Sequence, residues 1–194
     1  MGLAVLILGL LVLLGAHVLV SRRKARATVI ANLGLVPYKL VFSLISAVGI
    51  ILIAWGFGHY RSTEWVDVWS PPAWTRVITD ALMWPSTVCV VAAYSPGHIK
   101  RVLRHPMLVG VKLWAVAHLV SNGDLGSIVL FGSMLAWAGY DRLSLPYRTD
   151  RGAPPIPVGG RRNDVIAVVV GTIVYLALGL TFHPIVVGVP VFGS

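Results

Sequence analysis

Histidine and basic side chains interrupt one apolar stretch of this chain, residues 104–124. His105 and His118 bracket an apolar run that contains Trp114, and the turn signal Asn122-Gly123-Asp124 follows it. A charged or imidazole side chain at membrane depth is costly, so by default it marks a site. One use for neutral imidazoles inside a helical bundle is axial ligation of haem. The stretch is therefore the first candidate for a cofactor site.

Helical geometry limits which imidazoles could share one iron. His105 and His118 are thirteen residues apart, which places them on nearly opposite faces of a helix and about 20 Å apart along its axis. They cannot bind the same metal. Gly110, Trp114 and His118 share one stripe at i, i+4 and i+8, where a flat macrocycle could lie. Arg104, at the basic end of the stretch, could donate to haem propionates.

Purely structural roles account for the same residues. His118 could donate to a carbonyl or a serine of a neighbouring helix. Arg104-His105-Pro106 could be an interfacial helix start, because proline fits the first helical turn. Trp114 is typical of helix packing. The other histidines are His17, His59, His98 and His183, and the single cysteine, Cys89, excludes a disulfide framework or a cysteine zinc cluster within one chain.

Composition indicates an integral membrane protein. Of 194 residues, 57% are hydrophobic and 12% are charged, and the mean hydropathy is +0.82. Soluble domains are usually about 45–50% apolar and about 25% charged. The net charge of +9 could suggest nucleic-acid binding, but the basic residues lie in the gaps between apolar runs, where the positive-inside rule places them. We therefore expect the lipid bilayer as a partner and no nucleic acid.

Six apolar runs approach or reach the roughly 17 to 25 residues that a spanning helix needs. Short connections join them. The sequence therefore predicts an all-α bundle of about six transmembrane helices, forming a single domain over residues 1–194. The runs are Gly2–Val20, Leu40–Gly58, Val77–Tyr94, His105–Val120, Leu125–Tyr140 and Val165–Phe182.

The basic residues indicate how this bundle is oriented. Thirteen Lys and Arg residues lie in the first, third and fifth connections, against only Arg61 and Arg76 in the others, with Lys112 inside a span. Cytoplasmic connections carry the excess of Lys and Arg. We therefore expect both termini on the non-cytoplasmic side. Termini on the same side require an even number of spans, and six spans meet this requirement.

Several short motifs together resemble the NnrU family of membrane proteins. Each motif is weak alone, and the set is fairly specific. The resemblance extends over nearly the whole chain, with His17 in the first span and His183 before the tail. The motifs are His105-Pro106-Met107, Leu113-Trp114-Ala115, Ala117-His118-Leu119, Asn122-Gly123-Asp124 and Leu130-Phe131-Gly132.

The resemblance implies a haem protein of the bacterial inner membrane. Family members in denitrifying bacteria are linked to nitrite and nitric oxide metabolism, and the plant zeta-carotene isomerases, which resemble the same family, use haem b. Their ligand histidines lie in the first span and in the motif that His118 matches, which implies His17 and His118 as the axial pair of the iron. Depth estimated from the predicted spans favours His59 or His183 as the partner of His118, and both stay in reserve.

Three functions follow as expectations. The first is a haem-b-binding protein that supports nitrite and nitric oxide metabolism, with membrane redox or reductase proteins as partners. The second is a haem-dependent cis-trans isomerase of a carotenoid-like polyene, although Ala115 stands where the isomerases have a cysteine. The third is a cofactor-free assembly partner of a reductase. Only the second of these is an enzyme.

Overall fold

The computed structural model describes residues 1–147 and 159–192, and every regular element in these ranges is helical. The all-α prediction is confirmed. A short 3-10 helix, Leu145–Tyr147, follows the seventh helix, and a π-helix, Leu178–Val187, continues the eighth. The α-helices are α1 (Gly2–Ser21), α2 (Arg23–Leu33), α3 (Leu35–Thr63), α4 (Thr75–Tyr94), α5 (His98–Leu103), α6 (Pro106–Ser121), α7 (Leu125–Ser144) and α8 (Arg161–Ala177).

Within residues 1–147 and 159–192, four helices are long and apolar enough to cross a membrane: α1, α3, α4 and α8 with its π-helical continuation. α6 is apolar but has only 16 residues, about 24 Å at about 1.5 Å per residue. α7 has 20 residues, with Asp141 and Arg142 in its last turn. The prediction of a membrane protein thus rests on four helices, while six spans and the orientation of the termini stay predictions.

The helices extend beyond several of the predicted spans. α3 begins at Leu35 instead of Leu40, and the last helix runs over Arg161–Val187. Helical structure continues past an apolar run because polar side chains at helix ends cost little when they reach water. α2 and α5 form within connections, where no helix is predicted. Two of the thirteen Lys and Arg residues that predict the orientation, Arg148 and Arg151, lie outside the described residues.

The chain groups into two compact units. The first comprises the described residues of Met1–Pro72 and His118–Gly152, which form α1, α2, α3, the last turn of α6, and α7. The second comprises those of Ala73–Ala117 and Ala153–Ser194, which form α4, α5, most of α6, and α8. The candidate residues are therefore divided between the units, with His17 and His118 both in the first.

Glycines bring α1 and α3 together in the first unit. A Cβ added at Gly9 would lie 2.7 Å from the backbone nitrogen of Ile53, and one added at Gly49 would lie 2.9 Å from Leu13 Cβ. Small residues let membrane helices approach closely and gain van der Waals contact. This approach determines the face of α1 that packs on α3, and His17 follows Leu13 by one turn on that face.

Polar side chains join α4, α5, α6 and α8 in the second unit. The Ser86 hydroxyl donates to the Gly110 carbonyl at 2.8 Å. Trp84 Nε1 donates to Thr172 Oγ1 at 2.9 Å. Asp164, in the first turn of α8, accepts from the backbone nitrogen of His98 at 3.1 Å and so caps the start of α5. Each bond satisfies a polar group at a contact between helices.

Candidate functional site

His17 contacts aromatic rings from two other helices of the first unit. Its ring centroid lies 5.2 Å from that of Phe42 in α3 and 5.2 Å from that of Trp137 in α7. Phe42 in turn stacks on Tyr38, with centroids 6.3 Å apart, and the guanidinium carbon of Arg26 lies 5.5 Å from the Tyr38 ring. We call His17, Tyr38, Phe42 and Trp137 the His17 cluster. It combines an imidazole with flat apolar surfaces and a nearby positive charge.

One hydrogen bond of His17 determines which ring nitrogen could bind a metal. Nδ1 lies 2.8 Å from the carbonyl oxygen of Leu13. A carbonyl oxygen can only accept, so Nδ1 is the donor and Nε2 of the neutral ring carries the lone pair. Metal-bound histidines commonly donate their other N–H group in this way. His17 is thus in the tautomer that binds a metal through Nε2.

Unused hydrogen-bonding groups are a second feature of the His17 cluster. The Tyr38 hydroxyl and Trp137 Nε1 are buried, and neither has a hydrogen-bond partner in the described part of the chain. The same holds for the Ser46 hydroxyl, two turns further along α3. Buried polar groups are nearly always paired, and an unpaired one costs roughly 1–3 kcal/mol. Donors in this state suit an acceptor, such as a carboxylate, on a bound molecule.

His118 lies in the last turn of α6, and its ring stacks on Phe131 of α7. The ring centroids are 4.4 Å apart and the interplanar angle is 25°. Trp137, the α7 residue that contacts His17, comes six residues after Phe131, which is about 9 Å further along the helix axis. The two imidazoles therefore lie against the same helix at different depths.

The reserve ligand His59 lies far from His17. Its Nδ1 is 2.9 Å from the hydroxyl of Thr63, and its ring contacts Trp55 at 5.6 Å. His59 follows Phe42 by seventeen residues in α3, about 25 Å along the axis. Because Phe42 contacts His17 directly, the structure does not bring His59 and His17 together.

The remaining predicted site residues belong to the second unit. Trp114 lies one turn before His118 in the continuous helix α6, so the predicted shared stripe on one helix is present. Arg104 is exposed and ends α5 with a φ of 59°, a left-handed conformation that is uncommon outside glycine. His105 follows it, immediately before α6 begins. The other reserve ligand, His183, lies in the π-helix beside Phe182, with ring centroids 6.2 Å apart.

The sequence does not identify Tyr38, Phe42 or Trp137 as site residues. Aromatic residues are ordinary in apolar runs, so nothing in their type distinguishes them from packing residues. One signal is available, because Tyr38, Phe42 and Ser46 recur at i, i+4 and i+8 and so share one face of α3. The contact of that face with His17 becomes visible only in the structure.

The Asn122-Gly123-Asp124 turn joins α6 to α7 and is held by the segment after α3. Val68 N donates to the Gly123 carbonyl, and Leu125 N donates to the Val66 carbonyl, both at 2.9 Å. These bonds form a short antiparallel pairing of backbone, with a bridge between Asp67 and Asp124. The turn predicted from the sequence is thus the connection between the two helices.

Side chains complete the hydrogen bonding around this turn. The Tyr60 hydroxyl accepts from Val66 N at 3.1 Å. Asp124 is only 1% exposed, and its Oδ1 accepts from Ser127 N at 2.9 Å, which caps the start of α7. We call Tyr60, Val66, Gly123 and Asp124 the turn cluster. Its polar groups are used by the fold itself.

An apolar groove of about 310 Å³ runs between α1 and α7. Leu14, Gly15 and Val18 line it and lie within three residues of His17 in the sequence. Ser133 is the one polar residue of the lining. The groove therefore suits an apolar ligand. Its lining residues are Ile7, Leu10, Leu11, Leu14, Gly15, Val18, Val129 and Ser133.

No group of three or more His, Cys, Asp or Glu side chains is placed to hold a metal ion within residues 1–147 and 159–192. The family model described as NnrU protein matches residues 5–191. The chain belongs to the NnrU family. Comparison of this NnrU-family chain with curated proteins and with solved structures gave no match. The family assignment confirms the resemblance of the motifs, and the match includes both His17 and His118.

Proposed function

We propose that this NnrU-family chain is an inner-membrane protein that binds haem b through His17 and supports bacterial nitrite and nitric oxide metabolism. The observation that carries the proposal is the state of His17, whose Nδ1 donates to the Leu13 carbonyl and leaves Nε2 for a metal. The metabolic role and a membrane redox or reductase protein as partner belong to the same proposal for this member of the NnrU family.

The residues around His17 fit a haem. Phe42 and Trp137 flank the imidazole with apolar ring surfaces. The unused donors of Tyr38 and Trp137 suit propionate oxygens, and Arg26 beside Tyr38 adds a positive charge. When bound, haem supplies an iron that changes oxidation state and binds small ligands such as nitric oxide. The chain's own part is to hold the iron at His17 Nε2 and to exclude water from it.

His118 is the proposed second ligand. It belongs to the same unit as His17 and lies against the same helix, α7. His59, by contrast, lies about 25 Å along α3 from Phe42, the residue of that helix that contacts His17. The contacts of His17 and His118 lie about 9 Å apart along α7, so His118 would join His17 in holding a haem only if this offset became smaller. Without that movement, His17 would be the one residue of the pair that holds the haem.

Six spans belong to the same proposal. α7 begins at the turn cluster, beside the end of α3, and its Asp141 accepts a hydrogen bond from Ser21 at the end of α1. Glu64, just after α3, accepts from Gly2 N at 2.7 Å at the opposite end of α1. α7 therefore runs the full length of α1, which is a candidate span. With α7 as a fifth span and the shorter α6 as a sixth, both termini would lie on the same side, and the excess of Lys and Arg in the first, third and fifth connections would make it the non-cytoplasmic side.

A second candidate function is isomerisation of a polyene, and the apolar groove favours it. Three residues that line this groove of about 310 Å³, Leu14, Gly15 and Val18, lie within three residues of His17 in α1. An apolar substrate could lie there beside a haem held by His17. Turnover of a carotenoid-like polyene by a strain expressing the protein would favour this function over the role in nitric oxide metabolism.

Absorbance spectra of the purified protein, expressed with ample haem, test the proposal. We expect a Soret band that shifts when nitric oxide is added to the reduced protein. His17→Ala should remove most of the band, because it removes the nitrogen that holds the iron. His118→Ala should keep the band and change its position, because a six-coordinate iron would lose one ligand. His98→Ala is the matched control, since His98 contacts Asp164 at 3.3 Å and should leave the spectrum unchanged.

Three results would contradict the proposal in different ways. Absence of a Soret band in the wild-type protein would exclude haem binding and favour the cofactor-free assembly partner. An unaltered band in His17→Ala would exclude His17 as a ligand. An unaltered band in His118→Ala would leave the iron five-coordinate, or bound to another second ligand, and would exclude the axial pair.

A further inference from the structure

A second cavity, of about 230 Å³, lies beside the turn cluster in the first unit. Its residues come from the segment after α3 and from the turn between α6 and α7. The proposed haem function makes no use of it. The lining residues are Trp65, Asp67, Trp69, Ser70, Pro71, Ser121, Asn122, Gly123 and Asp124.

The charge of this lining is opposite to that of the whole chain. Asp67 contributes an exposed carboxylate, Asp124 adds a buried one that caps α7, and the lining includes no Lys, Arg or His. The protein as a whole has a formal net charge of +9. A concave site with carboxylates and no basic residue attracts cations and repels anions. The cavity is therefore suited to a positively charged ligand.

Two tryptophans make the site suitable for an organic cation. Trp65 and Trp69 are 48% and 40% exposed, so both keep accessible indole surface. Tryptophan is the side chain whose face attracts cations most strongly, and it also contacts methyl groups well. Trp65 Nε1 donates to Asp67 Oδ1 at 2.7 Å. That bond orients the carboxylate beside the indole and leaves Oδ2 available to a ligand.

Backbone hydrogen bonds hold the cavity in shape. Val68 N and Trp69 N donate to the Gly123 carbonyl at 2.9 Å and 3.1 Å. Asp67 and Asp124 face each other across the bridge of the antiparallel pairing. The two sides of the cavity are thus fixed to one another without a ligand. A preorganised site loses less conformational entropy on binding than a flexible one does.

We propose that this cavity binds a quaternary ammonium group, as carried by choline and by phosphatidylcholine headgroups. Carboxylates combined with aromatic faces are the means by which proteins recognise such groups. A divalent metal ion fits less well, because Ca²⁺ takes six to eight oxygen ligands and no group of three or more candidate ligand residues occurs in the described ranges. Tryptophans are also frequent at the membrane surface, where lipid headgroups lie.

A fluorescence titration of the purified full chain in detergent tests this site, with tetramethylammonium as the probe. We expect a saturable change in tryptophan emission at millimolar concentrations, whereas sodium chloride at equal ionic strength should give none. Asp67→Asn and Trp69→Leu should each weaken the apparent affinity about tenfold, because each removes one attraction to the cation. Trp74→Leu is the matched control, since Trp74 is exposed in the same connection and is absent from the lining.

The same titration in nanodiscs of phosphatidylcholine or of phosphatidylglycerol distinguishes a lipid headgroup from a free solute as the ligand. If the site takes a lipid headgroup, phosphatidylcholine should compete with tetramethylammonium, while phosphatidylglycerol should not. If the site takes a free solute such as choline, the affinity should be equal in both lipids. The proposal is overturned if wild type shows no saturable response, if sodium chloride matches the probe, or if Asp67→Asn and Trp69→Leu bind like wild type. Asp67 and Trp69 are not part of the His17 cluster, so these results are independent of the Soret band.

Discussion

Two tyrosines on α3 occupy similar buried positions and differ in what their hydroxyl groups contact. Tyr38, in the His17 cluster, is 6% exposed, and Tyr60, in the turn cluster, is 0% exposed. The hydroxyl of Tyr60 accepts from Val66 N at 3.1 Å, whereas that of Tyr38 has no hydrogen-bond partner in the described residues. They lie 22 residues apart in α3, about 33 Å along its axis.

The difference separates a structural region from a candidate binding region. In the turn cluster, Tyr60, Gly123 and Asp124 use their polar groups to hold α7 and the segment after α3. In the His17 cluster, the Tyr38 and Trp137 donors have no partner in the described residues, and His17 Nδ1 lies 2.8 Å from the Leu13 carbonyl oxygen. Proteins depart from full hydrogen-bond satisfaction mainly at functional sites. The same helix therefore stabilises the fold at one end and presents unused polar groups at the other.

Removal of the carboxylate from the turn cluster should have the largest effect on stability. Asp124→Ala leaves the buried Ser127 N without its acceptor and removes the cap of α7. We expect a loss of about 2 kcal/mol in the free energy of unfolding, measured by denaturant titration in detergent. Asp67→Ala is the control, because Asp67 is exposed and bonds only the exposed Trp65 among the contacts described. Equal losses in the two variants would show that Asp124 is not structural.

A matched pair of substitutions compares the two tyrosines directly. Tyr60→Phe should cost about 1.5 kcal/mol in the free energy of unfolding, because Val66 N loses its partner. Tyr38→Phe should cost nothing or stabilise the protein slightly in the haem-free state, because the hydroxyl it removes is buried and unpaired. In the haem-loaded state Tyr38→Phe should accelerate haem loss, measured as transfer to apomyoglobin.

Two outcomes would end the distinction between the tyrosines. If Tyr38→Phe destabilised the haem-free protein as much as Tyr60→Phe does, the Tyr38 hydroxyl would have a partner in the folded state. If Tyr38→Phe changed neither stability nor haem loss, the unused donor would have no relation to the cofactor.

The sequence predicts the class of fold well, because apolar runs of spanning length are a strong signal. Residues 2–20 and 77–94 of the predicted spans differ from α1 and α4 by no more than two residues at either end. Helices α2 and α5 are missed, since short polar helices carry no periodic apolar face. The start of α8 lies outside the predicted span because the polar residues 161–164 are also helical. The start of α3 lies five residues before its predicted span, and the helix there includes Pro37.

The site is predicted less completely than the fold. Histidine is rare enough in spanning helices for His17 and His118 to be singled out from sequence. Their depths depend on the packing of α1, α6 and α7, which no spacing along one helix determines. Tyr38 and Trp137 are missed for a different reason. What distinguishes them is the lack of a hydrogen-bond partner, and that is a property of the whole fold.

The smallest expected effect on the free energy of unfolding is that of a substitution at Ser46. It tests whether α3 has a second unused donor besides the Tyr38 hydroxyl. Ser46 Oγ is buried without a partner, so Ser46→Ala should change the free energy of unfolding by less than about 0.5 kcal/mol. Ser86→Ala is the matched control in the second unit, because Ser86 Oγ donates to the Gly110 carbonyl at 2.8 Å, and it should cost about 1 kcal/mol. If both substitutions cost the same in denaturant titrations, Ser46 is bonded in the folded protein. On α3 and α7 the unused donors would then be those of Tyr38 and Trp137, the two residues whose rings belong to the His17 cluster.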